Sequence, residues 1–301
     1  MEFRGYIVSL FRAVPRRWRR MLGVFILFLA VFDAWAISAF FDPGNGGAAE
    51  IYFLDVGQGD AQLAVLPDGA RVLIDGGPAN GMALREIERV SDMFKRRIDI
   101  VVLTHPEEDH FGGLIQVLRR IPVGAVITNG FPGKSAMFPE FERAAAESGA
   151  ILFEAASGDS VRQGDAVFRA VSPDASDLPR GNAHETNEKS VVLILDVEET
   201  RLLFSGDIGE KTERSLSGKI GRIDVLKVAH HGSKFSSSEA FLGSLRPKLA
   251  FVGVGKNSYG HPAKETLARL SSAGAEIFRT DIDHTLRLVV SDGIGRVYSL
   301  D

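Results

Sequence analysis

The sequence predicts a mixed α/β domain preceded by a short apolar segment, and three observations support this. Strand-like runs come in pairs near both ends of the chain. Strand and helix signals alternate between those pairs. The apolar content of 45% with 25% charged residues is that of an ordinary globular core. The chain has 301 residues, enough for one large domain or two small ones. No second linker, short-period repeat or low-complexity tract interrupts it, so a single domain is expected.

The amino terminus stands apart. "RAVPRRWRR" (12–20) is strongly basic and leads into "MLGVFILFLAVFDAWAISAFF" (21–41), apolar apart from Asp33. That length suits a membrane span of roughly 20 residues. The arginines ahead of it would keep residues 1–20 in the cytoplasm and place everything after Phe41 outside. Two other readings fit the same stretch. The part before Asp33 resembles a signal-peptide core with "AWA" (34–36) as a cleavage site, which would release the domain, and a buried soluble helix is the third reading. Residues 42–49, "DPGNGGAA", are Pro/Gly-rich and read as a linker. The folded domain is expected over 50–301.

From Glu50 the strand signals "IYFLDV", "AQLAVL" and "RVLIDGG" form a meander turned at "GQGD" and "PDGA". A helix is expected in "GMALREIERVSDMFKR". The strand "IDIVVL" (98–103) follows, aliphatic and β-branched, and then the helical spacing of Leu114, Ile115, Val117 and Leu118. "AVITNG" and "FPEFERAAAESG" continue the alternation. "SVVLILDVEETRLLFSGD" (190–207) is a hairpin turned at Glu198, Glu199 and Thr200. "VLKVAHHGS", "LAFVGVG" and "AEIFRT" then alternate with helices around "SEAFLGSL" and "AKETLARL". "TLRLVVS" and "GRVYSL" close the chain as a β-pair.

A net charge of −4 argues against a protein held to nucleic acid by bulk positive charge, although a nucleic acid bound locally as substrate stays open. Cys is absent, which removes disulfides, thiolate metal sites and cysteine nucleophiles. Any metal must be held by His, Asp and Glu. "LTHPEEDHFGG" (103–113) gathers His105, Glu107, Asp109 and His110 where a strand turns into a helix, the edge at which α/β folds bind ligands. Asp207 ends the strand "LLFS", and His230 and His231 end "VLKVA". Imidazole with carboxylate is a usual donor set for Zn²⁺ or Mn²⁺. Each group alone is also read as an acidic helix start or a structural histidine. Three such groups at three strand ends are not explained that way.

"FLDVGQGDAQL", "LIDGG", "LTHPEEDHFGG", "LLFSGD", "LKVAHHGSKFSS" and "NSYGHP", in this order, resemble the metallo-β-lactamase superfamily, in particular the hydrolase domain of the competence protein ComEC and its stand-alone relatives. The resemblance covers about Glu50 to the end. It implies a four-layer αβ/βα sandwich with one or two divalent ions, Mn²⁺ or Zn²⁺, between the sheet edges. It further implies that His105 and Glu107 bind a first ion, that Asp109, His110 and His231 bind a second, and that Asp207 bridges. Asp75 of "LIDGG" matches an aspartate that braces the metal loop through hydrogen bonds. The superfamily commonly has histidine where this chain has Glu107. It also has one ahead of the bridging aspartate, where this chain offers Asn187, with His184 three residues earlier.

The activity implied is hydrolysis of a phosphodiester, DNA among the candidates, by a metal-activated water. Asp109 would orient that water and His230 would serve the leaving oxygen. Lys256, Asn257, Tyr259 and His261 of "GKNSYGHP", with Ser233, Gln58 and Asp60, are the expected substrate contacts. A tight turn and a Pro-ended helix start explain parts of the same stretches equally well. Hydrolysis of a small phosphoester such as a phosphocholine compound, and a tethered binding module without catalysis, are the competing functions.

Overall fold

The computed structural model describes residues 47–91, 97–178, 186–291 and 293–300. The expected membrane segment 21–41, its basic flank and His184 lie outside the described residues. Among the described residues no helix is long and apolar enough to cross a membrane. The described residues all belong to one compact unit, Asn45–Asp301.

Two sheets carry the fold. The first contains β1 (Ala49–Phe53), β2 (Gln62–Val65), β3 (Arg71–Ile74), β4 (Ile98–Val102), β5 (Val123–Thr128), β6 (Ile151–Glu154), β14 (Thr285–Ser291) and β15 (Ile294–Leu300). Its order is β15-β14-β1-β2-β3-β4-β5-β6. The second contains β7 (Ser160–Gln163), β8 (Ala166–Ser172), β9 (Val192–Val197), β10 (Thr200–Phe204), β11 (Val225–Lys227), β12 (Leu249–Val252) and β13 (Glu276–Arg279), in the order β13-β12-β11-β10-β9-β8-β7. The expected meander, the 190–207 hairpin and the closing pair are all antiparallel ladders. At the hairpin turn Glu198 and Glu199 both take positive φ, as a two-residue turn matched to the twist of its strands requires.

Alternation of side chains along the strands produces four layers. Ile51, Phe53, Leu195, Phe204, Val225 and Phe251 fill the space between the sheets. The Phe53 and Phe251 rings stack at 3.9 Å and join the layers across that interface. Burying such a ring contributes about 3 kcal/mol, and truncating one to alanine costs roughly 3–5 kcal/mol. The outer face of the first sheet packs on α1 (Met82–Val90), α3 (Leu114–Arg120) and α4 (Phe138–Glu147). In α4, Phe138, Phe141, Ala144 and Ala145 recur at helical spacing and all are buried. The outer face of the second sheet packs on α5 (Glu210–Leu216) and α6 (Glu239–Leu245), with Leu270 of α7 (Lys264–Ser272) in the same cluster. The expected αβ/βα sandwich is therefore present in the described residues.

Strands β6, β7 and β8 and helix α5 were not among the expected elements. Ile151, Leu152 and Phe153 of β6 are more than half exposed, so this edge strand shows no alternation to read. β8 alternates cleanly between buried and half-buried positions.

Candidate metal centre

The carboxyl ends of four strands deliver the chemistry. β3 leads to Asp75, at φ 57°, whose carboxylate contacts Thr104 and His110 of the loop and helix after β4. β4 leads through Thr104 and His105 into the short helix α2 (Glu108–Phe111), which carries Asp109 and His110. β10 leads to Asp207. β11 leads to His230 and His231, both in the left-handed region at φ 52° and 51°. Side chains other than glycine rarely adopt that backbone. Here it turns two consecutive imidazoles toward the same space.

Asp207 Oδ2 is the focus of the arrangement. The Nε2 atoms of His110, His231, His105 and His230 lie 3.4, 3.6, 3.9 and 3.9 Å from it. Three of these rings are aimed by contacts at Nδ1. His105 meets the Thr104 hydroxyl at 3.0 Å, His110 meets Asp75 Oδ2 at 2.8 Å, and His231 meets the Gly253 carbonyl at 2.8 Å. Fixing Nδ1 in this way leaves Nε2 as the free ligand atom. Asp75 also accepts from the Thr104 amide and hydroxyl, both at 2.8 Å, which gives it the bracing contacts expected from the sequence.

A divalent cation suits this donor set. His105 Nε2 and His110 Nε2 are buried with no hydrogen-bond partner, a costly state for polar atoms in a folded interior, and both face Asp207 Oδ2. Asp60, His110, Asp207 and His231 each offer a ligand atom within 4.8 Å of the others. Electrostatics without the ion point the same way. Burial alone would discharge His110, but Asp207 and Asp75 outweigh it and hold its pKa well above the usual value. Burial would likewise protonate Asp207, but His110 and His231 hold its pKa well below the carboxylate range. His105 is pushed down, by burial first and then by the His110 charge. Without an ion the buried carboxylates and His110 depend on one another's charge, a place a metal can take.

The other expected residues divide. Asp109 Oδ2 reaches His231 Nε2 at 3.2 Å, with its carboxylate partly exposed. Glu107 precedes α2 and accepts from the Thr186 hydroxyl at 2.9 Å; it lies outside the group of four. Asn187 starts the turn Asn187–Lys189 immediately after Thr186. His230 is about one-third exposed at the mouth, with its ring centroid 5.5 Å from that of half-buried His261. Tyr259 and Lys256 are exposed on the same loop.

Several expected substrate contacts have other partners. Asp60 has no exposed surface and is ion-paired with Lys227. Gln58 accepts from the Gly255 amide at 3.3 Å, so it ties two loops together. Asn257 spends its amide inside its own loop, on Gly255, Tyr259 and His261. Ser233 is buried and its hydroxyl accepts from the Phe235 amide. The glycines of "GQGD" and "GVG" explain the close loop packing. A Cβ at Gly59 would strike the Asp109 carbonyl, and one at Gly253 would strike Asp60 Oδ1. Thr104, Thr186 and Lys227 were not anticipated. Lys227 had a readable signal, since it shares the inward-facing alternation of Val225 on β11.

The chain is 29% identical over 279 residues to "ComE operon protein 3" of Bacillus subtilis (strain 168), covering 85% of this chain and 35% of that protein. It is 31% identical over 276 residues to "Competence protein ComA" of Neisseria gonorrhoeae, covering 90% and 35%. It therefore spans about a third of the length of these relatives. Among solved structures, the metallo-beta-lactamase fold protein YhfI from Bacillus subtilis superposes with a TM-score of 0.54 at 11% identity, covering 83% of this chain and 98% of that one. Igni18, a metallo hydrolase from Ignicoccus hospitalis, gives 0.51 at 15%, covering 84% and 100%. At such identities the likeness is one of fold. The sequence pattern described as Metallo-beta-lactamase superfamily matches residues 54–255, and with it the chain belongs to that superfamily.

Proposed function

We propose that this protein is a metal-dependent phosphodiesterase, with DNA or another nucleic acid as its polymeric substrate. Its hydrolase domain would be held outside the cytoplasm by residues 21–41. The observation that carries the catalytic reading is the convergence of four imidazole Nε2 atoms on Asp207 Oδ2, all within 3.9 Å. His105, His110, Asp207 and His231, with Asp109 and Glu107 beside them, are the residues that would hold Mn²⁺ or Zn²⁺. When bound, such an ion supplies a Lewis acid and lowers the pKa of water towards roughly 7.

The chain's own groups account for the remaining tasks. Asp109, partly exposed and anchored on His231, is placed to orient a water at the mouth. His230, exposed on one side and 3.9 Å from Asp207 on the other, is placed to hand a proton to a departing oxygen. Lys256, Tyr259 and His261 form the cationic and aromatic rim beside it, suited to phosphate oxygens. The competence-related relatives favour a nucleic acid over a small phosphoester.

The test is a metal-stripped full chain with each ion restored singly, assayed on single-stranded DNA, duplex DNA, RNA, bis-p-nitrophenyl phosphate and a phosphocholine ester. Cleavage of the DNA substrates supports the proposal. Cleavage of the phosphocholine ester alone moves the function to small phosphoesters, and metal uptake with no turnover makes the protein a binding module.

A further inference from the structure

Lys227 is a lysine at an interior strand position, and its surroundings define a task. Its neighbours on β11 alternate, with Val225 in the core between the sheets and Leu226 against the outer helices, so Lys227 points between the sheets toward the metal centre. Its side chain is 2% exposed and its ammonium contacts Asp60 Oδ2 directly. Among the described residues its further polar neighbours are the Gly206 carbonyl at 3.4 Å and Asp207 Oδ1 at 4.0 Å. An ammonium this deeply buried requires a carboxylate partner, and Asp60 is the carboxylate in contact with it.

Asp60 has a second possible task. Its Oδ2 lies 4.0 Å from His110 Nε2, and Asp60 is one of four residues whose ligand atoms lie within 4.8 Å of one another, close enough to serve as a metal ligand. It cannot be fully committed to both. We propose that Lys227 is a positioning residue of the metal centre. It holds Asp60 out of the coordination shell as a counter-ion.

Gly253 completes the arrangement, because only a residue without a Cβ leaves room for Asp60 Oδ1. Three residues that hold no metal themselves, Asp60, Lys227 and Gly253, thereby set which atoms do. The inference rests on the metal-centre reading of the site.

Co²⁺ is the probe, because its visible absorption changes with the number and type of its ligands, independently of turnover. The full chain is compared with Lys227→Met and with the neutral pair Lys227→Met/Asp60→Asn. The neutral pair should reproduce the wild-type Co²⁺ spectrum, since neither side chain is a ligand. Lys227→Met alone should shift the spectrum, because Asp60 is then free to enter the shell. A changed spectrum in the neutral pair, or a folded Lys227→Met with an unchanged one, overturns the proposal. If Lys227→Met fails to fold, the neutral pair decides alone. Wild-type protein that takes up no Co²⁺ would instead sink the metal-centre reading itself, and this inference with it.

Discussion

The Nδ1 atom of His110 lies 2.8 Å from Asp75 Oδ2, and this contact decides which nitrogen of the ring faces the metal centre. Asp75 also fixes the Thr104 amide and hydroxyl, so one carboxylate orients the loop and the imidazole together. Removing such an outer partner typically weakens metal affinity by about 10–100-fold. Asp75→Ala should therefore lower Mn²⁺ or Zn²⁺ affinity by that order in a direct titration. An affinity unchanged within experimental error would mean that His110 is aimed by packing alone.

Asp207 serves the site more than the core. Its Oδ1 has no hydrogen-bond partner and its Oδ2 faces only imidazoles, so the fold gains little from its charge once those imidazoles are neutral. Asp207→Asn should abolish hydrolysis, a loss on the order of 10⁴-fold by analogy with other catalytic carboxylates. Circular dichroism should show the fold retained. Wild-type turnover by the folded, metal-loaded variant would remove Asp207 from the site.

Stability without metal should depend on pH in a way set by the His110–Asp207 pair. The His110 pKa is raised above 6.5, so its contribution is complete below that value and is lost as pH climbs through the raised pKa. The Asp207 pKa is depressed below 3.8, so its contribution is present above that value and is lost as pH falls through the depressed one. Buried His105 is pushed the other way and loses stability as pH falls below 6.5, so chelator-treated protein should be most stable near pH 6.5. Above that pH each unit costs up to about 1.4 kcal/mol, roughly 3–6 °C in Tm. Saturating Mn²⁺ should cancel the alkaline decline, since the ion replaces the lost protons. A chelated protein whose Tm holds steady or rises from pH 6.5 to 9 would contradict the assignment.

Much of this site is legible in the sequence because its ligands sit at strand ends bounded by glycine. "LTHPEEDHFGG", "SGD" and "AHHGS" each mark a chain reversal with donors at the turn, and the structure brings these three together. What the sequence hides is pairing across distance. Asp60 and Lys227 are 167 positions apart, and only the stacking of the two sheets makes one the partner of the other. Asp60 beside a glycine turn therefore reads as a surface contact, whereas its carboxylate is fully buried. β14 likewise shows its strand pattern, but its place beside β1 follows from the chain returning to its first sheet. β6 is exposed along its length and lacks the buried face on which periodicity depends.

The acidity of "HPEEDH" has its most specific consequence at Glu107. Thr186 donates its hydroxyl to Glu107 Oε1 at 2.9 Å, which fixes the carboxylate, and its other oxygen is the one that would serve an ion under the proposed function. A hard, charged oxygen in place of an imidazole moves preference from Zn²⁺ towards Mn²⁺. Because Zn²⁺ binds more tightly at most such sites whatever the ligands, the metal found after purification does not report which one supports turnover. Activity after stripping and restoring each metal singly does. Native protein should turn over faster with Mn²⁺, and Glu107→His should shift the preference to Zn²⁺. Thr186→Val, which removes the hydroxyl at nearly constant volume, should weaken Mn²⁺-dependent activity without reversing the preference. Equal activity with both ions before and after Glu107→His would mean that Glu107 only starts helix α2, where an acid is favoured by the helix dipole.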